Sequence, residues 1–291
     1  MKVADILTEN KRVFSFEFFP PKTNQGMEEL IKEVKELKHL SPSYVSVTYG
    51  AGGGTRDKTI DIVSRMKNSF DLEPMAHLTC VGSSKSYLRQ ILDQYKEGGI
   101  ENILALRGDP PQGEEEFKKA EDGFSHAFEL VQEIRKNYDF SIGVAGYPEG
   151  HQESASLKED LEFLKLKVDA GADFVVTQIF FDNKDFFDFV VKAREIGITV
   201  PIIPGIMPIA NFPQIKRITA MCGSKIPEKV LEDLEPIKDQ ADRVQQYGTE
   251  YAFRQCCELL EGGAVGIHFY TLNKSKATKT ILKRIVEAFP E

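Results

Sequence analysis

The chain has 291 residues, 41% of them hydrophobic, and a net charge of −8, enough apolar content to bury a full core in one large α/β domain or two smaller ones. No dense Lys/Arg cluster is present, which argues against nucleic acid or an anionic membrane as the main partner. No run approaches the ~18 apolar residues of a membrane span, and the opening MKVADILTEN carries acids and no apolar core of a leader, so a soluble cytoplasmic protein is expected.

Taken in chain order, short β-type runs alternate with longer amphipathic segments. The runs are FSFEFFP from Phe14, YVSVTYG from Tyr44, EPMAHLTC from Glu73, NILALRGD from Asn102, SIGVAGYP from Ser141, FVVTQIFFD from Phe174, VPIIPGIMP from Val200 and VGIHFYTLN from Val265. The first helical segment, from Met27, sets Leu30, Val34, Leu37 and Leu40 at helical spacing, and the fifth, SLKEDLEFLKLKVDAG, ends in a glycine stop. Eight βα units in one chain of this length predict a closed (β/α)8 TIM barrel rather than an open doubly wound sheet, with 1–291 as a single domain. The long stretch between the seventh and eighth strands, from Asn211 to Gly263, contains PEKVLEDLEP and QADRVQQYGTEYAFRQCCELLEGG, which read as extra helices.

Side chains alternate across a strand, so one parity faces the barrel interior and the other the helices. In the first strand Phe14, Phe16 and Phe18 suit the helix-facing side, leaving Ser15 and Glu17 inward, with Glu17 near the C-terminal end. The same construction turns inward Ser46 and Thr48, His77 and Thr79, Arg107 and Asp109, Tyr147, Gln178, and His268 and Tyr270 on later strands. Polar groups gathered at strand C-termini occupy the face where barrel enzymes build their sites. An inward Glu17 is either paired with a cation such as Arg107 or part of a functional cleft. His77 has no second His or Cys at ligand spacing, and the four cysteines Cys80, Cys222, Cys256 and Cys257 show no metal-binding spacing, so reduced thiols and no metal are expected. GAGGGTRD lacks the ending of a P-loop and the spacing of a dinucleotide fingerprint.

The blocks FSFEFFPPKT, YVSVTYGAGGGTRD, AHLTC, ALRGDPP, GYPEGH, LKLKVDAGADFVVTQIFFD, IIPGIMPIANFPQ and HFYTLN, in this order, closely resemble the methylenetetrahydrofolate reductase family of the bacterial type, from about Phe14 onward. The resemblance implies a flavoprotein oxidoreductase of one-carbon metabolism. In that family FAD, held on a TIM barrel, carries hydride from NADH or NADPH to 5,10-methylenetetrahydrofolate, and the 5-methyltetrahydrofolate formed feeds methionine synthesis. By the same resemblance Glu17 is the general acid that protonates N10 of the folate, a role that needs a carboxyl still protonated near neutral pH and that desolvation favours. Asp109 is implied to contact the pterin and the flavin. FAD contacts carry over onto Thr48, Tyr49, Ala51, His77, Arg107, Gly108, Asp109, Ala127, Tyr147, His151, Asp160 and Lys167, with Ser154 a weaker match. Folate or nicotinamide contacts carry over onto Gln178, Gln214 and Tyr270.

Two departures from the family pattern stand out. Lys274 occupies a position that is often arginine and cannot grip a folate carboxylate in the same bidentate way. Phe163 stands where some relatives have a polar residue near the cofactor, and no contact is assigned to it. The resemblance also implies a homo-oligomer, and no regulation by S-adenosylmethionine, since the larger relatives bind it in a further C-terminal domain. It does not rank NADH against NADPH. Two rivals remain at this point: another barrel flavoenzyme, such as a proline-dehydrogenase-like oxidase, and a folate- or flavin-binding protein without turnover.

Overall fold

The βα alternation closes on itself. In a computed structural model describing residues 1–49, 56–109 and 119–290, with the side chains of 56 and 57 left aside, eight parallel strands pair in chain order and β1 joins β8. They are β1 Val13–Phe18, β2 Tyr44–Val47, β3 Pro74–Thr79, β4 Asn102–Leu106, β5 Ser141–Gly146, β6 Phe174–Ile179, β7 Ile202–Ile206 and β8 Gly266–Tyr270. Each begins within two residues of the start expected from the sequence, because strongly β-prone runs bounded by turn residues leave little freedom in placing a strand.

Among the described residues the helices are α1 Val3–Glu9, α2 Asn24–Lys38, α3 Arg56–Asn68, α4 Lys85–Glu97, α5 Ala127–Asn137, α6 Leu157–Asp169, α7 Asn183–Glu195, α8 Phe212–Cys222, α9 Glu228–Leu234, α10 Ala241–Glu261 and α11 Lys276–Ala288. In α2 the Thr23 hydroxyl accepts from the Gly26 amide at 3.0 Å, an N-cap, and Leu30, Val34 and Leu37 are buried as the spacing requires. The α6 segment is capped by Ser156, and the chain leaves it through Gly171 at φ +114, a conformation that favours glycine.

Two apolar cores follow from strand parity. Phe16 and Phe18 lie with Val45, Ile103 and the helix faces in the outer core between sheet and helices. Burial of each such ring stabilises the fold by roughly 1.5–3 kcal/mol. Inside the barrel, Val13, Tyr44, Met75, Leu104 and Phe174 form a separate core, closed from below by Val3 and Ile6 of α1. That short helix was not foreseen. It is pinned to the N-terminal ends of two strands, Val3 N donating to Asn102 Oδ1 at 2.6 Å and Ala4 N to Ser141 Oγ at 3.0 Å.

The stretch between β7 and β8 forms three helices, α8, α9 and α10, two more than a βα unit needs, over a third apolar cluster that includes Phe181, Ile209, Phe212 and Val244. Helix α10 comes so close to the end of β7 that a Cβ on Gly248 would lie 1.9 Å from Ile209 O. One expectation is corrected. Arg107 and Asp109 are not inward strand residues, since β4 ends at Leu106 and its interior positions are filled by Leu104 and Leu106. They lie instead on the loop beyond, which turns at Gly108 with φ +88.

Candidate active site

Glu17 ends the inward row of β1 at the C-terminal mouth of the barrel, its side chain 14% exposed. Its neighbours are two imidazoles: Glu17 Oε2 lies 3.4 Å from His77 Nε2 and 3.5 Å from His268 Nε2. His77 Nε2 is out of line for a hydrogen bond and makes none. Burial pulls the His77 pKa down to about 4, so this imidazole is neutral near pH 7. No lysine or arginine among the described residues lies within ion-pair reach of Glu17, so the expected alternative of a structural pair with Arg107 is not what the barrel builds. Arg107 instead meets Glu153 in a two-pronged contact of 2.6 and 2.7 Å. The phenylalanines that flank Glu17 in sequence face the other side of the sheet.

Tyr270, paired in register with Glu17 across β1 and β8, is anchored through its hydroxyl, which donates to Thr177 O at 2.8 Å. Gly205 leaves the room for that ring, since a Cβ there would stand 2.5 Å from Tyr270 Cε2. Around these groups opens a cavity of about 620 Å³, lined also by Thr48, Asp109, Gln178 and, from α8, Ile218 and Met221.

A second cavity of about 300 Å³ lies between the end of β5, the start of α5 and the face of α6. Leu106, Arg107, Ala145, Tyr147, His151 and Glu153 line both cavities, so the two form one groove running outward from Glu17. Its far end holds a buried charge pair. Asp160 and Lys167 share one face of α6, where burial raises the Asp160 pKa and pulls Lys167 down to about 8, each opposed by the other's charge. Lys167 Nζ donates to Ala145 O at 2.6 Å. The His126 ring, stacked at 5.3 Å on Phe163, lines the same cavity.

Residues 2–286 match the family model for methylenetetrahydrofolate reductase. The chain belongs to that family. It is 43% identical over 295 residues to methylenetetrahydrofolate reductase (NADH) 1 of Zea mays, covering 98% of this chain and 50% of the relative. It is 42% identical over 293 residues to a probable methylenetetrahydrofolate reductase (NADPH) of Caenorhabditis elegans, covering 98% and 44%. The 5,10-methylenetetrahydrofolate reductase of Pectobacterium carotovorum subsp. carotovorum is 39% identical over 267 residues, covering 92% and 88%. The chain thus spans about half the length of the plant and nematode relatives.

Among solved structures, a Clostridium thermocellum protein described as binding two copies of 5-methyl-5,6,7,8-tetrahydrofolic acid aligns with TM-score 0.68 at 16% identity, covering 99% of this chain and all of that one. A dihydropteroate synthase of Coxiella burnetii, in complex with pteroic acid, aligns with TM-score 0.51 at 11% identity, covering 96% and 94%. At these identities the likeness is one of fold.

Of the positions carried over from the methylenetetrahydrofolate reductase family, the groove brings together Glu17, Thr48, His77, Arg107, Gly108, Asp109, Ala127, Tyr147, His151, Ser154, Asp160, Lys167, Gln178 and Tyr270. Tyr49 is not brought there, its side chain being buried in the outer core. Ala51 lies outside the described residues. Gln214 and Lys274 line a separate open depression with Asn211, Pro213 and Arg217.

The sequence reading missed Arg217, His126 and Glu153, and withheld a role from Phe163. Phe163 had a signal, standing three residues after Asp160 and four before Lys167, the spacing of one helix face. Arg217 had none, because only the folding of α8 beside the β8 loop places it near Lys274. Among the described residues no group of His, Cys, Asp or Glu is arranged to hold a metal ion, and no helix is long and apolar enough to cross a membrane.

Proposed function

We propose that the chain reduces 5,10-methylenetetrahydrofolate to 5-methyltetrahydrofolate, using NADH or NADPH and a resident FAD, with Glu17 as the proton donor. The observation that carries this reading is the groove joining an inward carboxyl, without a lysine or arginine partner among the described residues, to the buried Asp160–Lys167 pair, in a chain of this family. The names of the plant and bacterial relatives and the folate bound by the Clostridium protein support the substrate class. Relatives named for NADH and for NADPH both occur, so the reading keeps either reductant. A single catalytic domain, assembly into a homo-oligomer and supply of methyl groups to methionine synthesis belong to the same reading.

The groove's chemistry suits a long, doubly charged cofactor. Lys167 is a cation inside the wall, so an anionic diphosphate there would meet a positive charge. The flat faces of Tyr147, His126 and Phe163 suit planar rings. When bound, FAD would supply the hydride, taken beforehand from the nicotinamide.

The chain's own residues do the rest. Proton transfer from Glu17 to N10 lets the bond between N10 and the bridging carbon break with its electron pair staying on nitrogen, leaving an N5 iminium whose carbon accepts hydride and becomes the methyl group. Asp109, Gln178 and Tyr270 line the mouth around the position the pterin takes in this reading. The depression holding Gln214 and Lys274 suits the folate's carboxylates, and Arg217 supplies there the planar fork that Lys274 lacks.

The test is reconstitution with FAD followed by each half-reaction measured alone. The protein should take up flavin, be reduced by NADH or NADPH, and be reoxidised by methylenetetrahydrofolate. Glu17→Gln should slow the folate step by roughly 10²–10⁴-fold and leave reduction by the nicotinamide near the wild-type rate. Failure to bind flavin sinks the cofactor assignment; equal loss of both half-reactions sinks the role of Glu17.

A further inference from the structure

Beyond their last paired residues, Glu17 and Tyr270, β1 and β8 stay stitched together by side chains. Thr271 Oγ1 donates to Glu17 O at 2.5 Å. Asn273 meets the backbone of Phe19 in both directions, donating from Nδ2 to Phe19 O at 2.8 Å and accepting at Oδ1 from Phe19 N at 3.0 Å. Its carboxamide takes the place of the peptide group that the ladder no longer supplies. Leu272 and Asn273 both lie in the left-handed region, at φ +50 and +54, and their turn is closed by Lys274 N donating to Thr271 O at 3.0 Å. Asparagine tolerates that conformation, whereas leucine is strained in it. The Leu272 side chain packs on the apolar cluster that also holds Phe212 and Ile215 of α8.

We propose that Asn273 is a positioning residue for the folate tail: by clamping this turn to Phe19 it fixes where Lys274 stands relative to Glu17, and so makes the reaction selective for a folate that carries its glutamyl carboxylates. This rests on the reading above, in which N10 of the folate meets Glu17 and the carboxylates reach the depression of Lys274 and Arg217. One substrate molecule then touches both ends of a fixed span. Binding energy gained at the tail serves the reaction when it holds N10 at the proton donor, and that requires the two anchor points to keep their separation. A Lys274 on a loose turn would still attract the carboxylates but would no longer align the other end.

A left-handed backbone alone does not account for this residue. Glycine adopts such a φ at less cost than asparagine, and a purely conformational role would leave the carboxamide free, whereas both of its polar atoms are engaged with Phe19. The clamp also acts locally. Thr271 ties the start of the turn to Glu17, and after it Ser275 N donates to Glu33 Oε2 of α2 at 2.7 Å. Loss of the carboxamide therefore loosens the middle of the turn and leaves its ends and the barrel in place. Arg217 stands on α8, outside the turn, and keeps part of the attraction for the tail.

The experiment compares two substrates. The 5,10-methylene derivative of tetrahydropteroic acid ends at its benzoyl carboxyl and carries no glutamate, so the ratio of kcat/KM for methylenetetrahydrofolate to kcat/KM for this analogue reads tail recognition alone. In Asn273→Gly, which keeps the left-handed turn and loses both bonds to Phe19, that preference should fall roughly 3- to 10-fold. The fall should come through KM for methylenetetrahydrofolate, while flavin reduction by the nicotinamide keeps its wild-type rate. In a Lys274→Met background the same substitution should change the preference by less than about twofold, and an undiminished effect there overturns the proposal. An unchanged preference in Asn273→Gly overturns it too, as does an equal loss with both substrates, which would put the clamp's effect at the proton donor or the fold. Asn273→Ser, too short to reach both groups of Phe19, gives the same readout should the glycine variant fail to fold. Wild-type protein that prefers neither substrate removes the assignment of the depression instead, and wild-type protein that reduces neither removes the proposed activity.

Discussion

Lys167 is a cation whose pKa burial has brought down to about 8 from a usual 10.5, and this has a consequence for the cofactor proposed to lie beside it. An anionic diphosphate favours the charged lysine, so binding raises the lysine pKa again and is linked to proton uptake wherever the free protein has lost that proton. The sign follows: below pH 8 flavin affinity is flat in this respect, and above it affinity falls by up to about tenfold per pH unit until the pKa of the bound form is reached. Titration of the apoprotein with FAD between about pH 7 and 10 checks this, and Lys167→Met should bind weakly with the slope in that window removed. At this scale much was visible beforehand, since seven-residue spacing sets Asp160 and Lys167 on one face of a helix. The environment of Glu17 was not. Parity turned it inward, but which side chains stand opposite depends on the registers of β3 and β8, and these set His77 and His268 there rather than Arg107.

Helix α10 illustrates how an element's neighbours reverse a local preference. In an isolated helix Gly→Ala stabilises by about 1 kcal/mol. At Gly248 the added methyl would meet Ile209 O at 1.9 Å, a backbone atom that moves only with the end of β7. Gly248→Ala should therefore destabilise the protein by roughly 1–3 kcal/mol or more, measured as a lower urea midpoint with an unchanged slope. Stability equal to or above wild type would show that α10 can shift away. The strands and the amphipathic helices were legible because period two and period 3.6 are written in the chain. Helix α1 was not, for seven residues carry too few turns to declare a period, and its stability comes from Asn102, Ser141 and the barrel's inner core.

Across the whole molecule the proposed cofactor groove is walled by β4, β5, α5 and α6 and opens into a mouth shared with β1, β3, β6 and β8. A ligand there bridges elements far apart in the chain and stabilises only the folded barrel. At about 100 times its dissociation constant, FAD should add about 2.7 kcal/mol to the folded state, seen as a rise of several degrees in the thermal midpoint that depends on FAD concentration. AMP at the same concentration should give a smaller rise, and an FAD-independent midpoint would show that the folded protein does not bind flavin. By itself the sequence determined the number and order of the βα units, the extra helices before the last strand, the inward parity of Glu17 and the family, because each is encoded in periodicity or in ordered local blocks. Only the tertiary structure decided what those residues meet: the joining of β1 to β8 that brings His268 to Glu17, the turn at Gly108 that hands Arg107 to Glu153, and the packing of α8 that brings Arg217 to Lys274. These are contacts between strand registers and helix placements, and the physical reason they escape a linear reading is that the packing of the closed barrel fixes them, whereas local propensity sets only the elements.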